Sequence, residues 1–238
     1  MTTPRAEKRR LAERTWPEVA DGPAAVLLVP LGSCEQHGPH LPLDTDTRVA
    51  VAVAEAVAAL RDDVVVAPAL AYGSSGEHAG FAGTLSIGAE ALRLVLVELG
   101  RSAFPPDGSG AHRGLVLVNG HGGNAGPVAE AVALLEAEGR PVTAWSPRIP
   151  GGDAHAGRTE TSLVLAVAAD LVGAERPTGA TEPLAELLPR LRAGGVAAVS
   201  ANGVLGAAAG ASAEEGRRLL AALADDLVAA VDRLTRAS

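Results

Sequence analysis

The run AAVLLVPLG, from Ala24 to Gly32, is apolar at nearly every position and closes on Pro and Gly. Continuous runs of this kind read as strands buried on both faces. A polar stretch rich in Gly and Pro follows, from Ser33 to about Thr45. TDTRVAVAVAEAVAALRDD then opens on Thr and Asp and repeats Ala and Val at helical spacing, so a helix is predicted there. VVVAPALAYG predicts a second strand leading into the loop SSGEHAGFAGTLS, and IGAEALRLVLVELGRSAF a second helix. GLVLVNG predicts a third buried strand, with HGGN as the turn after it. AGPVAEAVALLEAEG predicts a helix capped by Gly139. PVTAWSP is a short strand, and RTETSLVLAVAADLV a helix reached through the loop RIPGGDAHAG. A last helix runs from about Ser212 to Arg236. Strand and helix alternate throughout, which predicts an α/β fold: one mostly parallel sheet with helices on both faces. No repeat, low-complexity linker or break divides the chain, so residues 1–238 are expected to form one domain.

Composition narrows the function classes. Hydrophobic residues make up 47% of the 238, enough for a large core, and aromatics only 2%. The net charge is −8, and the one basic cluster, AEKRRLAER near the start, reads as a solvated, frayed helix. No nucleic-acid partner is expected from that balance. The single cysteine, Cys34, excludes an intramolecular disulfide. No apolar run is long enough for a membrane span, and no apolar region follows the charged N-terminus as in a secretory signal. A soluble, cytoplasmic protein with no membrane partner is the expectation.

Ligands of open α/β sheets bind beyond the carboxyl ends of the strands. Four polar clusters fall in such loops: Glu35 to Asp46, Gly76 to His78, His121 to Asn124 and Asp153 to Glu160. In the first, Glu35 and His37 can turn toward one point, with Asp44 and Asp46 at the start of the next helix. Mixed nitrogen and oxygen donors suit zinc, iron or manganese; a plain polar loop with Asp44 or Thr45 capping the helix reads equally well. In VNGHGGN, the glycines around His121 permit tight backbone turns. Neither GxxxxGK[ST] nor GxGxxG occurs, so a nucleotide loop is disfavoured. In DAHAGRTETS, Glu160 sits in a first helical turn, where the helix dipole favours an acid in any case. The functional reading makes Glu160 a ligand and His155 a proton shuttle. Cys34 as a nucleophile would need an activating base, and no G-x-S-x-G elbow marks a serine hydrolase.

PLGSCEQHGPHLPLDTD, VNGHGGN and HAGRTETS, in that order, resemble the creatininase family of metal-dependent amidohydrolases, and TWPEV resembles the family's opening. AYGSSGEHAGFAGTLSIGAEAL and LRAGGVAAVSANGVLG are similar to the family's mycofactocin-system subgroup. The resemblance implies a three-layer α/β/α sandwich, a closed homo-oligomer and two divalent ions (Zn, Fe or Mn). It implies a modified ribosomal precursor peptide as substrate, cut to release a C-terminal Val-Tyr-derived unit. Residue by residue it places Glu35 and His121 on one ion and His37 and Glu160 on the other. Asp46, preferred over Asp44, bridges them, and His155 matches the family's catalytic histidine. Namesake enzymes of the family carry an acidic ligand two residues beyond the histidine matching His121. Here that residue is Gly123, and Glu160 is the expected replacement. Glu77 and His78 are expected at the pocket mouth, and Asn124 at the substrate. Two competing readings stand beside this one: a cyclic amidohydrolase acting on creatinine or deformylating a heterocycle, and a non-catalytic metal-binding protein of the same fold.

Overall fold

The computed structural model describes residues 8–105 and 110–237. The described chain runs α1 (Trp16–Ala20), β1 (Ala25–Leu31), α2 (Thr45–Leu60), β2 (Val64–Val66), α3 (Ala89–Ala103), β3 (His112–Asn119), α4 (Ala125–Ala137), β4 (Val142–Trp145), α5 (Arg158–Val167), α6 (Leu184–Gly194) and α7 (Ala213–Ala237). The four strands form one sheet in the order β2-β1-β3-β4, and every pairing is parallel.

Alternation along the strands builds two cores, one on each face. Val26, Leu28, Val64, Val66, Val116 and Val118 pack against α2, α5 and α7. Leu27, Val29, Val65, Leu115 and Leu117 pack against α3 and α4. Burial on both faces is why these strands read as unbroken apolar runs. The result is the three-layer α/β/α sandwich expected.

Three expectations are corrected. The basic stretch is not a frayed helix: Ala6 and Glu7 lie outside the described residues, and the rest holds one 3-10 turn, Leu11–Glu13. The Arg9 carbonyl accepts the Val66 N–H, so this segment extends the sheet edge instead of leaving it. The second strand is only three residues long, because Pro68 removes a donor and the chain rejoins β1 only at Leu70, whose N–H reaches the Pro30 carbonyl at 2.9 Å. Helix α6 was not predicted. Leu184, Leu187, Leu188 and Leu191 keep helical spacing, but Pro189 sits in its interior, where proline usually ends a helix, and only Leu187 is buried.

Candidate metal centre

Four loops at the carboxyl ends of β1, β2, β3 and β4 deliver the polar side chains to one place. Glycines make the approach possible. Gly32 follows β1, and a Cβ there would overlap the side chain and backbone of Thr47. Gly120 follows β3, and a Cβ there would lie 2.6 Å from the Asp46 carbonyl. The first turn of α2 thus lies directly on the strand ends, and Asp46 points into the centre. Asp44 is the N-cap residue of α2, but its side chain makes no cap hydrogen bond; it accepts from Arg48 Nε at 2.7 Å instead. Thr45 donates its hydroxyl to the Pro42 carbonyl at 2.7 Å. Neither therefore caps the helix through its side chain.

Asp46 divides its two oxygens. Oδ1 lies 3.0 Å from His37 Nε2, while Oδ2 accepts the Ser33 hydroxyl at 2.6 Å and lies 3.3 Å from His121 Nδ1. Glu35 is fully buried, 3.2 Å from His121 Nδ1 and 3.1 Å from His78 Nε2, yet neither of its oxygens has a hydrogen bond among the described residues. His155 lies between His37 and His78, its ring tilted to both, with centroids at 4.3 and 4.5 Å. Its Nε2 lies 2.8 Å from the Gln36 carbonyl, which leaves Nδ1 facing Glu35 at 3.8 Å. Glu160 reaches the same region from α5, 3.9 Å from His37 Nε2, and accepts the Ala156 N–H at 2.5 Å. Ala156 has φ +54°, a left-handed conformation that costs a non-glycine residue about 1–2 kcal/mol. That turn sets His155 and Glu160 side by side.

The electrostatics follow from burial working against opposite charge. Burial alone would lower the His37 imidazole, but the Asp46 carboxylate prevails and lifts it to about 9. Burial would likewise raise Asp46, and the His37 and His121 charges hold it well below the carboxylate range. His121 is raised, against its own burial, by Asp46, Glu35 and Glu77. Burial pushes Glu160 up to about 7 despite His37. Burial and the neighbouring imidazolium charges keep His155 well below its ordinary value, so it is neutral.

The five expected ligands converge, and His155 and His78 join them. Among the described residues, ligand atoms fall within 4.8 Å of one another in three sets: Glu35, Asp46 and His121; Glu35, His78 and His155; His37, His155 and Glu160. Two buried Glu35 oxygens without a hydrogen bond, set among imidazole nitrogens that can ligate once deprotonated, are what a divalent cation needs, and the residues present fit such a cation. Asn124 is fully buried; its amide accepts from the Ser74 N–H at 2.8 Å and donates to the Gly32 carbonyl at 3.0 Å. It ties the β1 and β2 loops together. Glu77 lies 3.4 Å from His121 Nε2.

Sequence reasoning did not find Gln36, whose amide nitrogen lies within 3.1 Å of His78 Nδ1, His155 Nε2 and the Gly203 carbonyl. It also missed Ser33 and His40, the latter 2.8 Å from the Thr161 hydroxyl. Gln36 and Ser33 stand next to predicted ligands, but nothing in a single sequence tells a support residue from a spacer. Beside the polar cluster opens a cleft of about 500 Å³, lined by Val49, Ile149, Leu163, Leu184 and Leu205 together with Asp46 and Glu160.

Comparison with known proteins places this arrangement. The family model described as creatinine amidohydrolase matches residues 12–231. The chain belongs to the creatininase family. It is thus an amide-bond hydrolase of a metal-dependent family. It is 54% identical over 218 residues to the mycofactocin precursor peptide peptidase of Mycobacterium tuberculosis, covering 87% of this chain and 84% of that protein. It is 32% identical to the creatinine amidohydrolase of Pseudomonas putida, covering 88% and 91%. The crystal structure of a creatinine amidohydrolase superposes with a TM-score of 0.78 at 29% identity, covering 96% of this chain and 98% of the other. A creatininase variant described as Zn–Zn type gives 0.78 at 28% identity, with coverage of 96% and 98%. A manganese creatininase gives 0.77 at 29%, with coverage of 95% and 98%.

Proposed function

We propose that this creatininase-family hydrolase is a peptidase for the modified mycofactocin precursor peptide, releasing its C-terminal Val-Tyr-derived unit. The observation that carries the reading is the similarity itself: 54% identity to a protein named for that substrate, against 32% to one named for creatinine, over comparable shares of the chain. The cleft agrees with it. Its apolar wall and about 500 Å³ match pockets that enclose ligands far larger than creatinine.

Glu35, His37, Asp46, His121 and Glu160 would hold two divalent ions; Asp46 turns one oxygen toward His37 and the other toward His121. Such ions, when bound, polarise an amide carbonyl and lower the pKa of water toward about 7. The protein's own part is to hold that array rigidly. The Ser33 hydroxyl fixes Asp46, and the Gln36 carbonyl takes the His155 Nε2–H. Neutral His155 keeps a lone pair on Nδ1 toward the cluster, so it can take a proton and return it to the leaving amine. The apolar residues of the cleft seat the leaving group and exclude water.

Incubation with modified precursor peptide and, separately, with creatinine, followed by mass spectrometry, tests the substrate. Cleavage of the peptide is expected; creatinine hydrolysis with an intact peptide would sink the proposal. A second reading of His155, as a ligand, is favoured by its presence in two of the three ligand sets. His155→Ala separates the two: retained metal with lost turnover supports the proton role, and lost metal the ligand role.

A further inference from the structure

His121 meets different groups at its two ring nitrogens. Nδ1 faces Glu35 Oε2 at 3.2 Å and Asp46 Oδ2 at 3.3 Å. Nε2 faces away from those carboxylates, toward the Ser74 carbonyl at 3.1 Å and Glu77 Oε1 at 3.4 Å. A ring that offers the Nδ1 lone pair to a cation must carry its proton on Nε2, and the orientation of the ring is set by what accepts that proton. Two acceptors stand there, one of them a carboxylate.

The surrounding backbone is built around this pair. A Cβ at Gly123 would overlap Glu77 Oε1, His121 Nε2 and the Ser74 carbonyl at once. The missing side chain at 123 is therefore the space in which the three groups meet. Glu77 rides on the 3-10 turn Gly76–His78, and Gly195, at φ +68°, abuts that turn; a Cβ there would lie 2.5 Å from the Glu77 carbonyl. Asn124 pins the Ser74 N–H, and the Asn119 side chain accepts the His121 N–H at 3.2 Å and donates to its carbonyl at 2.8 Å. Ring, backbone and acceptor loop are each held independently.

We propose that Glu77 is a positioning residue: with the Ser74 carbonyl it holds the Nε2–H of His121, so that Nδ1 is presented to the point shared by Glu35 and Asp46. Gly123 is the space this requires. The inference rests on the reading that Glu35, Asp46 and His121 hold an ion, and it assigns Glu77 to the ring of His121 and not to substrate.

The test is a titration of the demetallated full-length chain with Zn²⁺ against a competing chelator, for the parent, Glu77→Ala, Glu77→Gln and His121→Ala. Glu77→Ala is expected to weaken one zinc-binding step by about 10- to 100-fold, as loss of such outer partners does, with the number of ions at saturation unchanged. Glu77→Gln keeps an acceptor oxygen and should fall between. In the zinc-loaded protein, ring-¹⁵N NMR should show His121 bound through Nδ1 and protonated on Nε2 in the parent, and a mixture of Nδ1- and Nε2-bound rings in Glu77→Ala, a change that mere loosening of the loop would not produce. Unchanged zinc affinity in Glu77→Ala would overturn the role, leaving Glu77 to substrate. Fewer ions at saturation would overturn it in favour of direct ligation. Zinc binding by His121→Ala equal to the parent would show instead that the underlying assignment of His121 fails, and the role of Glu77 with it. Because no readout is peptide cleavage, a wrong substrate does not touch this result.

Discussion

Gly120→Ala is the smallest change expected to damage both the fold and the centre. The added Cβ would lie 2.6 Å from the Asp46 carbonyl and 3.3 Å from the Ala50 side chain. The close neighbour is backbone in the first turn of α2, so no side-chain rotation relieves it. Non-bonded carbon contacts settle at roughly 3.5 Å, so α2 must retreat by about 0.5–1 Å. Overpacking of this kind costs about 1–3 kcal/mol. At about 2–4 °C per kcal/mol for a chain of this size, the demetallated protein should lose about 2–12 °C in Tm. The same shift carries Asp46 away from His37 and His121, and functional constellations tolerate only about 0.5 Å. Zinc affinity should therefore fall together with Tm. Gly126→Ala is the matched control: Gly126 lies exposed in α4, with nothing within 4 Å of an added Cβ. An alanine there should leave zinc binding intact and hold or raise stability, by up to about 1 kcal/mol. Circular-dichroism melting and zinc titration on the three proteins decide the matter. A Gly120→Ala protein with the parent's Tm and zinc affinity would refute the claim that this glycine sets the approach of α2.

Two further outcomes are expected. Zinc affinity of the demetallated chain should rise with pH, because His37 stays protonated up to about 9 and Glu160 up to about 7, and a ligand must shed its proton. The rise should be at least about tenfold per pH unit up to pH 9 and steeper below 7, since both protons then compete; a flat profile from pH 6 to 9 would contradict the proposed ligand set. Cys34→Ser should keep both hydrolysis and zinc, since among the described residues the thiol's hydrogen bond goes to the Gly83 carbonyl at 3.6 Å and not to a base. An inactive variant with its metal intact would restore a cysteine mechanism.

Much of this protein was readable before any coordinates. Doubly buried strands must be apolar at every position, so β1 and β3 stood out, and the glycines and polar residues after them marked the ends where a site forms. The converging loops were legible for the same reason: Glu35, His37, Asp46, His121, His155 and Glu160 all follow a strand or open a helix. Other features became visible only in three dimensions. The Ser74 carbonyl and Glu77 acquire meaning from lying across the ring of His121, 47 and 44 positions away in the chain. Gly203, at φ +79°, brings a carbonyl to Gln36 from 167 residues away, in a turn beyond a helix that its internal proline hid. The chain by itself determined which residues could be ligands and which elements would carry them, because periodicity and residue chemistry are local. Which nitrogen of His121 faces the carboxylates, and what Gly123 makes room for, was decided by tertiary packing, because those are relations between backbone surfaces that no local pattern encodes.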